Sequence, residues 1–181
     1  MKRILILFLA VLYSLTLYNA LNAQYLINEN TLAITEVKPI NLHFCNKIDS
    51  IISNTIINYE TPVNNLQSEW TLDSTIIDTV KSIKYDCYVL FFEISENGNF
   101  SIRIIYDKRH HWGDYYYIYN NKMFLIYNGV FPANYFYKTN KRKYVKYTYF
   151  SDTHIPLPKW ILTCKNNILT LQSFYIDNCH E

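Results

Sequence analysis

The chain has 181 residues, 17 of them Lys or Arg and 15 Asp or Glu, and half of its residues are hydrophobic. That length fits one domain able to bury its own core. The near balance of charge speaks against a nucleic-acid binder, which needs a strongly basic surface.

The N-terminus reads as a secretory signal. Met1-Lys2-Arg3 is basic, Ile4 to Leu17 is apolar, and Asn19-Ala20-Leu21-Asn22-Ala23 ends in a small residue. A membrane-spanning helix wants ~20 apolar residues. This run is shorter and already contains Tyr13, Ser14 and Thr16. The expectation is a signal peptide over 1–23, cleaved after Ala23, and a single domain over 24–181. The product is then exported, either periplasmic or secreted. Cleavage removes Lys2 and Arg3 and no acid, leaving 15 basic and 15 acidic residues.

Residues 24–42 read as an extended lead-in with one strand near Leu32 to Val37. Between Asn41 and Asn58 the apolar residues Phe44, Ile48, Ile51, Ile52 and Ile56 recur at helical spacing. Asn41 is placed to cap that helix, and Thr61-Pro62 ends the element. Val63 to Ser74 is polar and reads as loop. Thr75 to Ile83 fits strand or helix equally.

From Tyr85 onward the pattern is that of antiparallel strands. Cys87–Ser95 and Phe100–Tyr106 flank Asn97-Gly98, a strong hairpin signal. Asp114–Tyr119 and Lys122–Tyr127 flank Asn120-Asn121, and Lys159–Cys164 and Ile168–Ile176 flank Asn166-Asn167. Tyr135–Lys138 and Tyr144–Phe150 read as two strands joined by a basic turn over Lys138–Lys143. Successive hairpins favour an antiparallel meander. The expected fold is α+β: a mostly antiparallel sheet with one N-terminal amphipathic helix packed on it. A small all-β barrel or sandwich is the alternative.

Cys45, Cys87, Cys164 and Cys179 make an even count, which in an exported chain suggests two disulfides. On the Asn166-Asn167 hairpin Cys164 falls opposite Leu169. Cys179 is then ~30 Å further along an extended strand, whereas a disulfide needs Cα atoms within ~7 Å. That disfavours Cys164–Cys179 and, with it, Cys45–Cys87. Two pairings stay open: Cys45–Cys164 with Cys87–Cys179, or Cys45–Cys179 with Cys87–Cys164.

Common catalytic signatures are missing: there is no G-x-S-x-G, H-E-x-x-H, phosphate-binding Gly loop, C-x-x-C or EF-hand loop. The richest polar cluster is Asp107-Lys108-Arg109-His110-His111-Trp112-Gly113-Asp114. There His110 or His111 could act as general base, oriented by Asp107 or Asp114. No metal or cofactor is expected. Glu93 falls, on a two-residue Asn97-Gly98 turn, on a face with Phe91, Phe100 and Ile102, where an unpaired carboxylate is costly.

Charge is unevenly spread. Tyr106 to Tyr149 holds eight basic and two acidic residues, a net +6, with eleven of the eighteen tyrosines. Tyr suits half-buried strands and also suits binding surfaces, where a rigid ring gives contact area. The chain therefore reads first as a non-catalytic binding module. Its candidate face comprises Tyr115, Tyr117, Tyr119, Lys122, Lys141, Arg142 and Lys143, offered to a protein, glycan or polyanion. A small secreted hydrolase using the His110/His111 loop is the alternative.

Overall fold

The computed structural model describes residues 31–57, 70–73, 84–106, 113–147 and 157–177. The elements in chain order are β1 (Thr31–Pro39), α1 (Leu42–Ile57), β2 (Trp70–Asp73), β3 (Lys84–Ile94), β4 (Phe100–Tyr106), β5 (Tyr115–Tyr119), β6 (Lys122–Ile126), β7 (Phe136–Tyr147), β8 (Leu157–Lys165) and β9 (Ile168–Asp177). Among the described residues no helix is long and apolar enough to cross a membrane.

α1 forms where the apolar stripe places it. The Asn41 side-chain oxygen accepts the Phe44 amide at 3.0 Å, satisfying one of the free N–H groups of the first turn. Phe44, Ile48 and Ile52 are buried, and Ile51 and Ile56 pack at the margin of the same core. The stripe rests on one sheet face, against Tyr88, Leu90, Phe100, Ile102, Tyr117, Phe124 and Phe136. Each fully buried apolar side chain contributes ~1.5–3 kcal/mol of transfer free energy.

The strands form one mixed sheet in the order β2-β7-β1-β5-β6-β3-β4-β8-β9, and β2 also pairs with β3. The α+β class stands, but the simple antiparallel meander does not. β1 runs parallel to β5, and β3 parallel to β6. The β5–β6 hairpin sits between β1 and β3, so its two strands each meet a neighbour distant in sequence. Parallel neighbours require such crossover connections.

The sheet is apolar on both faces. Opposite the helix, Ile34, Tyr85, Cys87, Val89, Tyr116, Met123 and Leu125 form a second buried cluster. β2, whose sequence reads as polar loop, is a strand because Trp70–Asp73 pairs along β7 and Trp70-Thr71 also meets β3.

The residues expected to make a basic hairpin turn do not turn. Phe136–Tyr147 is one twelve-residue strand. Its pairing to β1 shifts between Val37, which faces Lys138, and Thr35, which faces Arg142. Thr139, Asn140 and Lys141 thus bulge against the single residue Glu36. The bulge absorbs the polar run without ending the strand.

The expected disulfides are also corrected where they can be followed. No disulfide joins the described cysteines Cys45, Cys87 and Cys164, all of them buried. Cys45 and Cys164 belong to the helix-side core and Cys87 to the opposite cluster, so the sheet itself separates Cys87 from the other two. Cys179 lies outside the described residues.

Candidate functional site

The tyrosine-rich hairpin is mostly structural. Tyr115, Tyr117, Tyr119 and Phe124 face the helix-side core, as their strand alternation requires. Tyr117 is 1 % exposed and stacks on Phe124 with ring centroids 4.8 Å apart and planes 10° apart. Burial, with the nearby Cys45 thiol as a lesser cause, pushes its phenol well above the ordinary range. Among the described residues no regular hydrogen-bond partner meets the Tyr116 and Tyr117 hydroxyls. Tyr117 therefore contributes packing rather than exposed surface. Tyr115 and Tyr119 are half-buried at the core margin.

Lys122 is likewise engaged. Its ammonium lies 2.6 Å from Asp49, a buried acid on α1, and 3.4 Å from the Ser53 hydroxyl. Asn120 donates to the other Asp49 oxygen at 2.8 Å. Asn120 and Asn121 both take positive φ, 45° and 58°, the two-residue turn that hairpin twist favours. The turn thereby presents an amide and an ammonium to one carboxylate and pins the helix to the hairpin. Sequence spacing gives no sign of this triad, since Asp49 is more than 70 residues from both partners.

The basic run remains at the surface. Lys138, Lys141 and Arg142 are exposed, and Lys143 is half-exposed with Glu36 3.5 Å away. Lys38, whose partner across the strands is Tyr137, adds a fifth cation. Tyr137 is 48 % exposed. The Lys138 ammonium lies 5.2 Å above the Tyr115 ring, within cation–π range. The Thr139 hydroxyl donates to the Glu36 carbonyl at 2.5 Å, anchoring the bulge. Lys38 and Tyr137 face each other on the side of the strand pair opposite Lys138, whose own partner is the buried Val37.

No catalytic constellation forms among the described residues. Asp107, His110 and His111 lie outside them. Asp114 is exposed at a bend, where its amide donates to the Ile126 carbonyl and its carbonyl accepts from Thr35, both at 3.1 Å. No group of three or more metal-ligating side chains occurs among the described residues. A groove of about 390 Å³ separates the start of α1 from the β8–β9 hairpin; His43 and Lys47 line it, with no carboxylate beside them. Its inner wall is held by the Tyr135 hydroxyl, 2.9 Å from the Asn167 side-chain oxygen it donates to.

Glu93 is not on the apolar face. Asn97-Gly98 belongs to a three-residue connection in which Ser95 and Asn99 pair and Gly98 has φ +79°. The extra residue moves the register by one. Glu93 faces Ser101, whose hydroxyl donates to it at 3.4 Å, in an exposed position. Arg103 shares that face and covers the Phe91 ring at 4.6 Å.

Compared with models of known protein families, with curated proteins and with solved structures, the chain shows no significant match to any of them.

Proposed function

We propose that this chain is a small exported, non-catalytic binding module that holds an anionic partner on the basic bulge of β7. The observation that carries the reading is the β1–β7 register shift. It keeps the exposed Lys138, Lys141 and Arg142 and the half-exposed Lys143 on one short stretch of β7, with Lys38 on the adjoining strand. Cations mounted on a paired strand are held in fixed array, which favours a partner with repeated negative charge. Of the face expected from sequence, Tyr115, Lys141, Arg142 and Lys143 remain in this site; Tyr117 and Lys122 are taken up by packing and by Asp49.

Export rests on the Met1–Ala23 pattern and implies a partner outside the cytoplasm. Intact mass of the product secreted by its own N-terminal segment tests it: a mass beginning at Gln24 supports export, and an unprocessed mass rejects it. Binding is tested by the triple substitution Lys138→Glu, Lys141→Glu and Arg142→Glu, using a sulfated polysaccharide as the anionic probe. The wild type is retained at low salt and the triple variant is not. Equal retention removes the β7 bulge from the site.

A further inference from the structure

The groove between the start of α1 and the β8–β9 hairpin is separate from the β7 bulge, since neither Lys38 nor any β7 cation lines it. Its floor is apolar. Phe44, Tyr135 and Leu169 are buried there, and the Phe44 and Tyr135 rings meet with centroids 4.4 Å apart. The volume of about 390 Å³ is that of a small-molecule site. Tyr135 is fixed at both ends. Its carbonyl accepts the Ile40 and Asn41 amides at 2.9 and 3.3 Å, and its hydroxyl is bonded to Asn167. The floor is therefore set before any ligand arrives, which lowers the cost of binding.

The polar side chains around that floor lean one way, toward donation. The Asn41 side-chain oxygen already accepts the Phe44 amide, and the Asn167 oxygen already accepts the Tyr135 hydroxyl. Both side chains keep their N–H donors for another partner. Thr170 shares its hydroxyl with Thr163 and Gln172. The exposed Lys47 adds an ammonium and the exposed His43 a ring N–H. Among the described residues no carboxylate lines the groove. We infer that the groove binds a small apolar carboxylate, an acid with an aromatic or short aliphatic body. The ring pair and Leu169 cover the body, while Lys47, His43 and the two amides hold the carboxylate. A cation is repelled by Lys47, and a bare inorganic anion leaves the apolar floor without a partner.

Titration of the isotope-labelled full chain with phenylpropionate, followed by backbone amide shifts, tests this. Saturable shifts are expected at Asn41, His43, Lys47 and Asn167, with a dissociation constant on the order of millimolar, the range for so small a ligand. Phenylpropanol keeps the body without the charge, and acetate keeps the charge without the body; each binds about tenfold more weakly. Lys47→Glu weakens phenylpropionate about tenfold and leaves phenylpropanol unchanged, with the thermal midpoint kept as evidence of folding. The Lys138→Glu, Lys141→Glu, Arg142→Glu variant binds phenylpropionate like the wild type, so the two sites stand or fall separately. The proposal is overturned by the absence of saturable shifts at the groove. Equal affinity for the acid and the alcohol, for the acid and acetate, or for wild type and Lys47→Glu overturns it too.

Discussion

Replacing Asp49 by Ala tests how the helix is fixed to the sheet. The carboxylate accepts from the Lys122 ammonium at 2.6 Å and the Asn120 amide at 2.8 Å. Hydrogen bonds to a charged group are worth ~1.5–3 kcal/mol net, and removing one partner of a buried ion pair costs ~3–5 kcal/mol. Here the side chains of Lys122 and Asp49 are 18 % and 12 % exposed. Water therefore reaches the abandoned ammonium, and the lower part of that range applies. The expected loss for Asp49→Ala is about 2–3 kcal/mol in urea unfolding, with an unchanged denaturant slope. Lys122→Met in turn strands the Asp49 carboxylate, left with the Asn120 amide alone, and carries a cost of the same order. Asp49→Leu with Lys122→Met recovers most of the loss, giving a coupling energy above ~1 kcal/mol. A loss below ~0.5 kcal/mol for Asp49→Ala, or additive single effects, refutes the assignment of this pair as the clamp.

Further outcomes follow from single positions. Gly129 has φ +62°, and a Cβ there would lie 2.8 Å from the Tyr115 ring; Gly129→Ala should cost ~1–3 kcal/mol in thermal unfolding. Asn121, with φ 58°, accepts Gly without loss, whereas Asn167→Gly also forfeits the Tyr135 hydrogen bond and costs ~1 kcal/mol more. Burial pushes the phenols of Tyr88, Tyr116 and Tyr117 up, Tyr135 up to about 12 and the Cys45 thiol up to about 12. The folded state thus keeps protons that the unfolded chain releases from about pH 9 upward, so stability is full below that pH and falls as pH rises toward 12. A tyrosinate absorbance titration should show these phenols ionising only together with unfolding. The hydrolase alternative requires that His110→Ala with His111→Ala abolish turnover of any substrate found; the binding reading requires the double variant to keep full affinity.

Local signals in the sequence were legible where one residue type decides the geometry. The Ile/Phe stripe and Asn41 define α1 to within a residue, since a buried stripe and a cap are both local requirements. The Asn120-Asn121 and Asn166-Asn167 turns set their registers, Cys164 opposite Leu169 included, because Asn tolerates positive φ at both turn positions. Asn97-Gly98 misled by one residue: Gly98 serves a three-residue connection, and a one-residue slip reverses every face assignment. That slip put Glu93 on the wrong face. The parallel β1–β5 and β3–β6 pairings have no local signature, because they depend on which distant strand fills each gap.

The proposed binding face was half legible. Alternation separates Tyr116 from Tyr115, Tyr117 and Tyr119, but it does not tell which face is buried when both are. Here the helix covers one and the second cluster fills the other. The basic run of β7 stayed outside because bulged Lys and Arg heads remain in water. Its polar composition imitates a turn, and only the pairing to β1 identifies it as strand.

The central claim is that the β7 bulge binds a repeated anionic partner. The most direct measurement is affinity for the sulfated polysaccharide at several salt concentrations, for wild type and for the Lys138→Glu, Lys141→Glu, Arg142→Glu variant. The account predicts wild-type binding that weakens steeply with salt, as exposed charges are screened within ~8–10 Å, and a variant that does not bind yet unfolds at the wild-type temperature. Binding that ignores salt, or that survives the triple charge reversal, would contradict it.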